Sequence, residues 1–226
     1  MRGGVLQLSR WGVLDDVVAA DTPKITRTTF YYGDEEIALP IKPRDGVDGL
    51  YAPRRTVLDR VLVDAASNSG AEIVFGLTVV DLIRDEVGRV CGVVARGSDG
   101  ENTHITTDVV IGADGVRSTV ARLTGAEIYH RGGHATGCVY GHWRDVEVDG
   151  YQWYFRPGVS AGVIPTNDGG TCVFISVPDH RFRTEIRSDV TASFHRVLSE
   201  CAPEFASSVS HSPQAGRTLA FGGVKG

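Results

Sequence analysis

An apolar run that stops on Gly-Ala-Asp-Gly constrains this chain more than any other stretch: residues 108–122 read DVVIGADGVRSTVAR, with Arg117, Ser118 and Arg122 following at once. So apolar a strand belongs inside a sheet, and its carboxyl end opens at the edge where α/β folds bind ligands. Gly112 and Gly115 let the backbone turn sharply or approach a bulky ligand, because no Cβ intervenes. Asp114 is placed to accept hydrogen bonds from ribose or ring hydroxyls, or to orient backbone N–H groups that make them. Residues 116–123 then start a helix whose first N–H groups favour phosphate. The same residues equally fit an Asp-Gly turn with Ser118 as a helix cap, and spacing alone does not separate the two readings.

The rest of the chain mixes helix and strand signals. Val5, Leu6, Leu8, Trp11 and Leu14 fall loosely at helical spacing before a break at Asp21-Thr22-Pro23. Two β-rich stretches, 26–32 and 36–41, flank Gly33-Asp34 as a hairpin. Val57, Leu58, Val61, Leu62 and Ala65 share one face of a helix predicted over 56–69, which Gly70 ends. Short strands at 72–75, 78–83, 90–95, 104–107 and 109–111 predict a β-meander that delivers the chain to the Asp-Gly stretch. Strands at 137–143, 151–156, 162–164 and 171–177 follow, and a helix over 190–200 stops before Pro203.

Composition excludes several classes. With 226 residues, 42% of them hydrophobic, the chain is long enough to bury a core as one large domain or two small ones. Its net charge is −5 and its only lysines, Lys24, Lys42 and Lys225, are scattered, which argues against a nucleic-acid partner. Cys91, Cys138, Cys172 and Cys201 lack metal-ligand spacing, so no zinc site or disulfide framework is expected, and the reducing cytoplasm is the expected location. No run approaches the roughly 18 apolar residues of a membrane span.

The segment GADGVRSTVAR resembles the internal Asp-Gly motif of the FAD-dependent aromatic hydroxylases, the para-hydroxybenzoate hydroxylase-like flavoprotein monooxygenases. YAPRRTVLDRVLVDAASNSGAEIVFGLTV is similar to the segment preceding that motif in the family. MRGGVLQLSRWGVLDD resembles the segment after the family's first βαβ unit, and GVIPTNDGGTCVF its substrate-domain sheet. The resemblance covers most of the chain and implies an α/β fold. A partial FAD/NAD(P)-binding Rossmann-like domain with a β-meander would occupy 1–22 and 51–126, and a mostly β substrate domain (an α+β sheet) 23–50 and 127–226.

The resemblance also implies FAD and NAD(P)H as cofactors. Asp114 and Gly115 would lie by the FAD pyrophosphate and the NAD(P)H groove, Arg55 on the FAD phosphates or ribitol, and Arg2 on the adenosine-pyrophosphate side. Val79 would offer backbone atoms to the adenine. A guanidinium fork suits phosphate, although Arg2 and Arg55 also read as surface arginines and Val79 as core packing. The implied reaction is NAD(P)H-driven hydroxylation of a small organic, aromatic substrate, in a pocket lined by Tyr140, Trp143, Tyr151, Trp153, Tyr154 and Phe155. No catalytic side chain is implied, because the cofactor carries the chemistry. A double-bond reductase or a non-catalytic remnant of the same fold shares every one of these motifs.

Two departures from the family pattern bear on this reading. No Gly-x-Gly-x-x-Gly occurs, and the sequence closes on LAFGGVKG, ahead of the family's second, Gly-Asp, motif. A truncated chain of this kind would leave the apolar faces of 109–111 and of the 56–69 helix uncovered and prone to self-association. A separate motif, GVSAG at 158–162, matches the Gly-x-Ser-x-Gly of hydrolase nucleophile elbows with Ser160 as nucleophile. That motif needs a helix after the serine, whereas 163–165 read as strand and Pro165 breaks a helix.

Overall fold

A repeat of two along the strands builds most of this molecule, a computed structural model that describes residues 2–130 and 135–222. Along the chain run α1 (Arg2–Arg10), α2 (Leu14–Ala19), β1 (Arg27–Tyr32), β2 (Glu35–Pro40), α3 (Arg55–Asn68), β3 (Thr78–Arg84), β4 (Val90–Arg96) and β5 (Asn102–Thr106). After these come α4 (Thr119–Thr124), β6 (Thr136–Trp143), β7 (Tyr151–Arg156), β8 (Val159–Pro165) and β9 (Thr171–Pro178). A helical turn, α5 (Asp179–Arg181), then leads to α6 (Val190–Cys201), α7 (Pro203–His211) and β10 (Leu219–Phe221). No helix among the described residues is long and apolar enough to cross a membrane. Packing divides the chain into a larger unit, Met1–Ser69 with Gly132–Gly226, and a smaller one, Gly70–Arg131.

The larger unit holds a seven-stranded sheet in the order β10-β6-β9-β8-β7-β1-β2. Neighbours are antiparallel except β1 and β7, which run parallel. Alternation along β6, β8 and β9 sends Val139, Trp143, Val163, Val173, Ile175 and Val177 to one face, where α6 and α7 cover them with Phe194, Val197, Leu198 and Val209. Trp143 stacks on Phe194 with ring centroids 5.0 Å apart. Each such side chain contributes about 1.5–3 kcal/mol on full burial, so this helix-covered face is the stability centre of the unit. Asp189 caps α6 by accepting from the Ala192 amide, and Pro203 stands at the start of α7, where its missing N–H costs nothing. A second cluster joins the first three helices: Leu8, Val13, Leu14 and Val17 meet Leu58, Val61, Leu62 and Ala65, the apolar stripe expected of the 56–69 helix.

The smaller unit is an antiparallel meander, β3-β4-β5, with an irregular register between Val79 and Asp81, followed by α4. The expected strands at 72–75 and 109–111 do not form. A strand exists through its hydrogen-bonded neighbour, and among the described residues no strand pairs with either stretch. Val109 and Ile111 accordingly stand exposed. The helix expected over 116–123 begins at Thr119 instead, with Ser118 as its cap.

Candidate functional site

The site is built from a turn. Between β8 and β9, Asp168 and Gly169 both adopt left-handed φ, 59° and 61°, and Gly170 N–H closes the turn onto Asn167 O at 3.0 Å. The turn places Asn167 in complete burial, where its amide is fully engaged. Nδ2 donates to Ala20 O at 2.6 Å and Thr22 Oγ1 at 2.7 Å, and Oδ1 accepts from the Arg54 backbone N–H at 2.8 Å. Thr166 Oγ1 donates to Ala52 O at 2.7 Å. One hairpin thus fixes the end of α2 and the segment entering α3.

What that segment carries is Arg54. Its Nε is buried with no hydrogen-bond partner among the described residues, although its backbone N–H is held by Asn167 and its carbonyl by the Val57 and Leu58 amides. Arg55, one residue on, has the opposite situation: its side chain is 84% exposed and forks onto Asp59, with Nε–Oδ1 and Nη2–Oδ2 both at 2.9 Å. The two arginines border one pocket of about 550 Å³ on the open face of the sheet, whose floor is Tyr140, His142, Ile164, Cys172 and Phe174. Gly162 shapes this floor: a Cβ there would come within 2.3 Å of the Phe174 ring, and Trp153 packs edge-on against that ring at 5.8 Å.

His142 and Cys172 lie directly opposite each other on β6 and β9. A thiolate–imidazolium pair would make a nucleophile there. Burial forbids it. It pushes the Cys172 thiol up to about 11, and together with the Arg54 charge it holds His142 below its ordinary 6.5. Both groups are therefore neutral at pH 7, and the pocket contains no acidic side chain.

Of the six aromatic residues expected to line a substrate pocket, four stand on the open face. Tyr140 belongs to the pocket just described, and Tyr151, Trp153 and Phe155 to a second of about 450 Å³ with Thr28, Phe30 and Arg2. Trp143 and Tyr154 do not stand there. The two-residue repeat turns Trp143 away from Tyr140 and into the core, and Tyr154 away from Trp153 onto Tyr31 and Phe205. Ser160 sits in mid-strand between Phe155 and Ser176, with no helix after it, so the nucleophile elbow is not formed.

The remaining candidate residues have definite places. Arg2 clamps a loop, donating through Nη1 to Val47 O at 2.9 Å and Arg44 O at 3.3 Å, and through Nη2 to Lys42 O at 2.5 Å. In the smaller unit, Val79 is half-buried and pairs with Ala95 beside the irregular step in β3. Asp114 turns its carboxylate onto the start of α4: Oδ1 accepts from Ser118 Oγ at 2.5 Å, and Oδ2 from the amides of Thr119 at 2.6 Å and Val120 at 3.2 Å. These bonds hold its carboxyl below the ordinary 3.8. Ser118 Oγ takes the Ala121 amide. The first N–H groups of α4 thus have partners within the turn, supplied by Asp114 and Ser118. Gly112 is required because a Cβ would meet the Val120 Cβ at 2.8 Å, whereas Gly115, at φ +83°, faces open space and leaves its backbone approachable.

These features fit FAD. In the larger unit, the buried, unpartnered Arg54 Nε beside an aromatic floor and the solvent-facing Arg55 suit a phosphate-bearing, ring-bearing cofactor. In the smaller unit, taken by itself, the Gly115 turn leaves a backbone that a phosphate can approach.

The fold is that of flavin-dependent enzymes. It matches the myxobacterial chondrochloren halogenase CndH with a TM-score of 0.83 at 17% identity, over 98% of this chain and 54% of that one. It also matches PqsL of P. aeruginosa, solved in complex with 2-aminobenzoylacetate, with a TM-score of 0.75 at 20% identity, over 96% of this chain and 60% of that one. The chain belongs to the FAD-binding domain family, whose sequence profile matches residues 5–213, and this bears out the resemblance to the para-hydroxybenzoate hydroxylase-like flavoproteins. Digeranylgeranylglycerophospholipid reductase 2 of Methanothermobacter thermautotrophicus is 35% identical over 123 residues, 48% of this chain and 31% of the relative. The chain thus spans about a third of that relative and somewhat over half of the solved structures.

Proposed function

We propose that this chain forms part of an FAD-dependent, NAD(P)H-driven monooxygenase that hydroxylates a small organic substrate with an aromatic or similarly apolar body. The pocket on the open sheet face carries this reading: it has an aromatic and aliphatic floor, a cation at its border and no ionised nucleophile. Bound FAD supplies the two-electron chemistry that no side chain here provides. In this reading Arg55, Arg2, Val79, Asp114 and Gly115 serve the cofactor. Arg55 offers a fork to phosphate or ribitol, Arg2 holds the loop on the adenosine side, and Asp114 fixes the turn whose Gly115 backbone meets the pyrophosphate. Residues 1–22 and 51–126 would form the cofactor side, and 23–50 with 127–226 the substrate side. Tyr140, Phe174 and Ile164 hold the substrate's apolar body and exclude water, while His142 stays neutral. The overall balance is R–H + O₂ + NAD(P)H + H⁺ → R–OH + H₂O + NAD(P)⁺.

The identity to a digeranylgeranylglycerophospholipid reductase favours a second reading, addition of two hydrogens across an isolated double bond. Mass spectrometry of the product separates them. A product one oxygen atom heavier, formed only with NADH or NADPH and dioxygen, supports the monooxygenase. A gain of two hydrogens that persists without dioxygen supports the reductase, and no product from the FAD-loaded protein with either nucleotide refutes both.

A further inference from the structure

A further cavity opens on the opposite, helix-covered face of the large sheet. It measures about 450 Å³ and lies between the β1–β2 hairpin and the junction of α6 with α7. Register fixes its floor. Glu36 on β2 faces Tyr31 on β1, which faces Tyr154 on β7, and the row continues through Ala161 to Ile175 in the core. Tyr31 stacks on Tyr154 with ring centroids 4.5 Å apart, and Phe205 of α7 stacks on Tyr154 at 6.0 Å. Among the described residues Tyr31 has an aromatic neighbour on this face only, since the strand on its other side, β2, brings Glu36. Three carboxylates, Asp34, Glu36 and Glu204, line the cavity against one guanidinium. That guanidinium is already engaged: Arg156 Nε donates to Cys201 O at 3.2 Å and Nη2 to Asp34 Oδ1 at 2.9 Å. The carboxylates of Glu36 and Glu204 have no hydrogen bond and no ion pair among the described residues. Burial first, and then negative charges that include both of these, hold the Tyr154 hydroxyl above its ordinary 10, so it stays a neutral donor to Gln152 Oε1 at 2.7 Å. Stacked rings beside two uncompensated carboxylates repel an anion and attract a cation.

We infer that this cavity is a binding site for a small organic ammonium ion, held against the Tyr31 ring with Glu36 and Glu204 as its counter-charges. The site is separate from the pocket of the proposed reaction, which lies on the other face of the sheet, and it stands whether or not that reading holds. No group of three or more metal-ligating side chains converges among the described residues, so an organic cation fits better than a metal ion. The volume is of the size that takes a small organic molecule. A ring face separates an ammonium from a neutral group of the same shape through its quadrupole, and the carboxylates add to that difference.

Choline and 3,3-dimethylbutan-1-ol share a shape and differ by one charge, which makes them the test pair. Each is titrated into the whole chain and followed by NMR at the amides of Tyr31, Glu36 and Phe205, with sodium chloride as the reference titration. Choline is expected to bind at least about tenfold more tightly than the alcohol, the equivalent of about 1.4 kcal/mol. Glu36→Gln combined with Glu204→Gln should bring the two ligands to the same affinity. Tyr31→Leu should weaken choline about two- to fivefold and leave the alcohol nearly unchanged. Glu86→Gln, in an exposed turn of the smaller unit, should change nothing. Equal affinity for choline and the alcohol in the native chain, binding of neither, or choline shifts that sodium ion reproduces at the same concentration overturns the inference. So does a doubly substituted protein of native circular dichroism that still prefers choline. If Tyr31→Leu fails to fold, the native comparison and the two exposed carboxylates decide. A chain that retains FAD and ignores choline refutes this site alone and leaves the flavoprotein reading standing.

Discussion

Replacing Asn167 by alanine should destabilise the larger unit far more than its position in a surface hairpin suggests. The side chain is fully buried and joins three segments through Ala20 O, Thr22 Oγ1 and the Arg54 N–H. Truncation strands the Arg54 N–H and the Ala20 carbonyl, and a buried polar group left without a partner costs about 1–3 kcal/mol. With partial relaxation the loss should be about 3 kcal/mol, a large part of the roughly 5–15 kcal/mol typical of a folded domain. Urea unfolding followed by tryptophan emission is the assay, because Trp11, Trp143 and Trp153 all belong to the larger unit. For a slope of about 3 kcal/mol/M the midpoint should fall by about 1 M. Asn167→Asp, which keeps an acceptor for Arg54 but loses the amide donor, should fall between. A midpoint shift below about 0.2 M for Asn167→Ala, within the range of ordinary surface substitutions, would refute the hub.

Other substitutions probe the pocket and the turn. Gly162→Ala brings a Cβ within 2.3 Å of the Phe174 ring, so it should cost about 1–3 kcal/mol; an unchanged urea midpoint would contradict this. His142, held below 6.5 first by burial and then by Arg54, should titrate by NMR below that value, and Arg54→Gln should raise it only part of the way. Because its folded pKa is depressed, the stability it contributes is complete above 6.5 and declines as pH falls below it. Asp114 follows the same sign: amide protection at Thr119 and Val120 should be complete above pH 3.8 and fail as pH drops through the lowered folded value. Asp114→Ala should remove that protection at neutral pH, and unchanged hydrogen exchange would count against the cap. Val109, Ile111 and Val116 stand exposed on the smaller unit, so the chain should self-associate at micromolar concentration, whereas a monomer by light scattering without dye-reported apolar surface would say otherwise.

Most strands were legible because a repeat of two with one covered face leaves a plain signature, as β6 and β9 show. The helix over 56–69 was legible for the same reason at the helical period. Stretches 72–75 and 109–111 misled, since apolar composition reports what a segment buries and not whether a partner strand is there to pair with it. Register was the other blind spot: Trp143 and Tyr140 look alike in a list of aromatics, and only their odd spacing of three tells that they face opposite ways. The family resemblance points to Arg55, and a double arginine carries no mark that Arg54 Nε is the one that becomes buried. The signal lay elsewhere, in Asn167 of the Asn-Asp-Gly-Gly turn, whose long-range bond to the Arg54 backbone no local pattern contains.

The most direct test of the account is the visible spectrum of the purified chain after incubation with FAD and removal of free cofactor. Flavin bands that stay with the protein and are lost in Arg55→Ala and Asp114→Ala are the predicted result. A protein that keeps no flavin, or variants that keep as much as the native chain, would contradict the assignment of these residues to the cofactor.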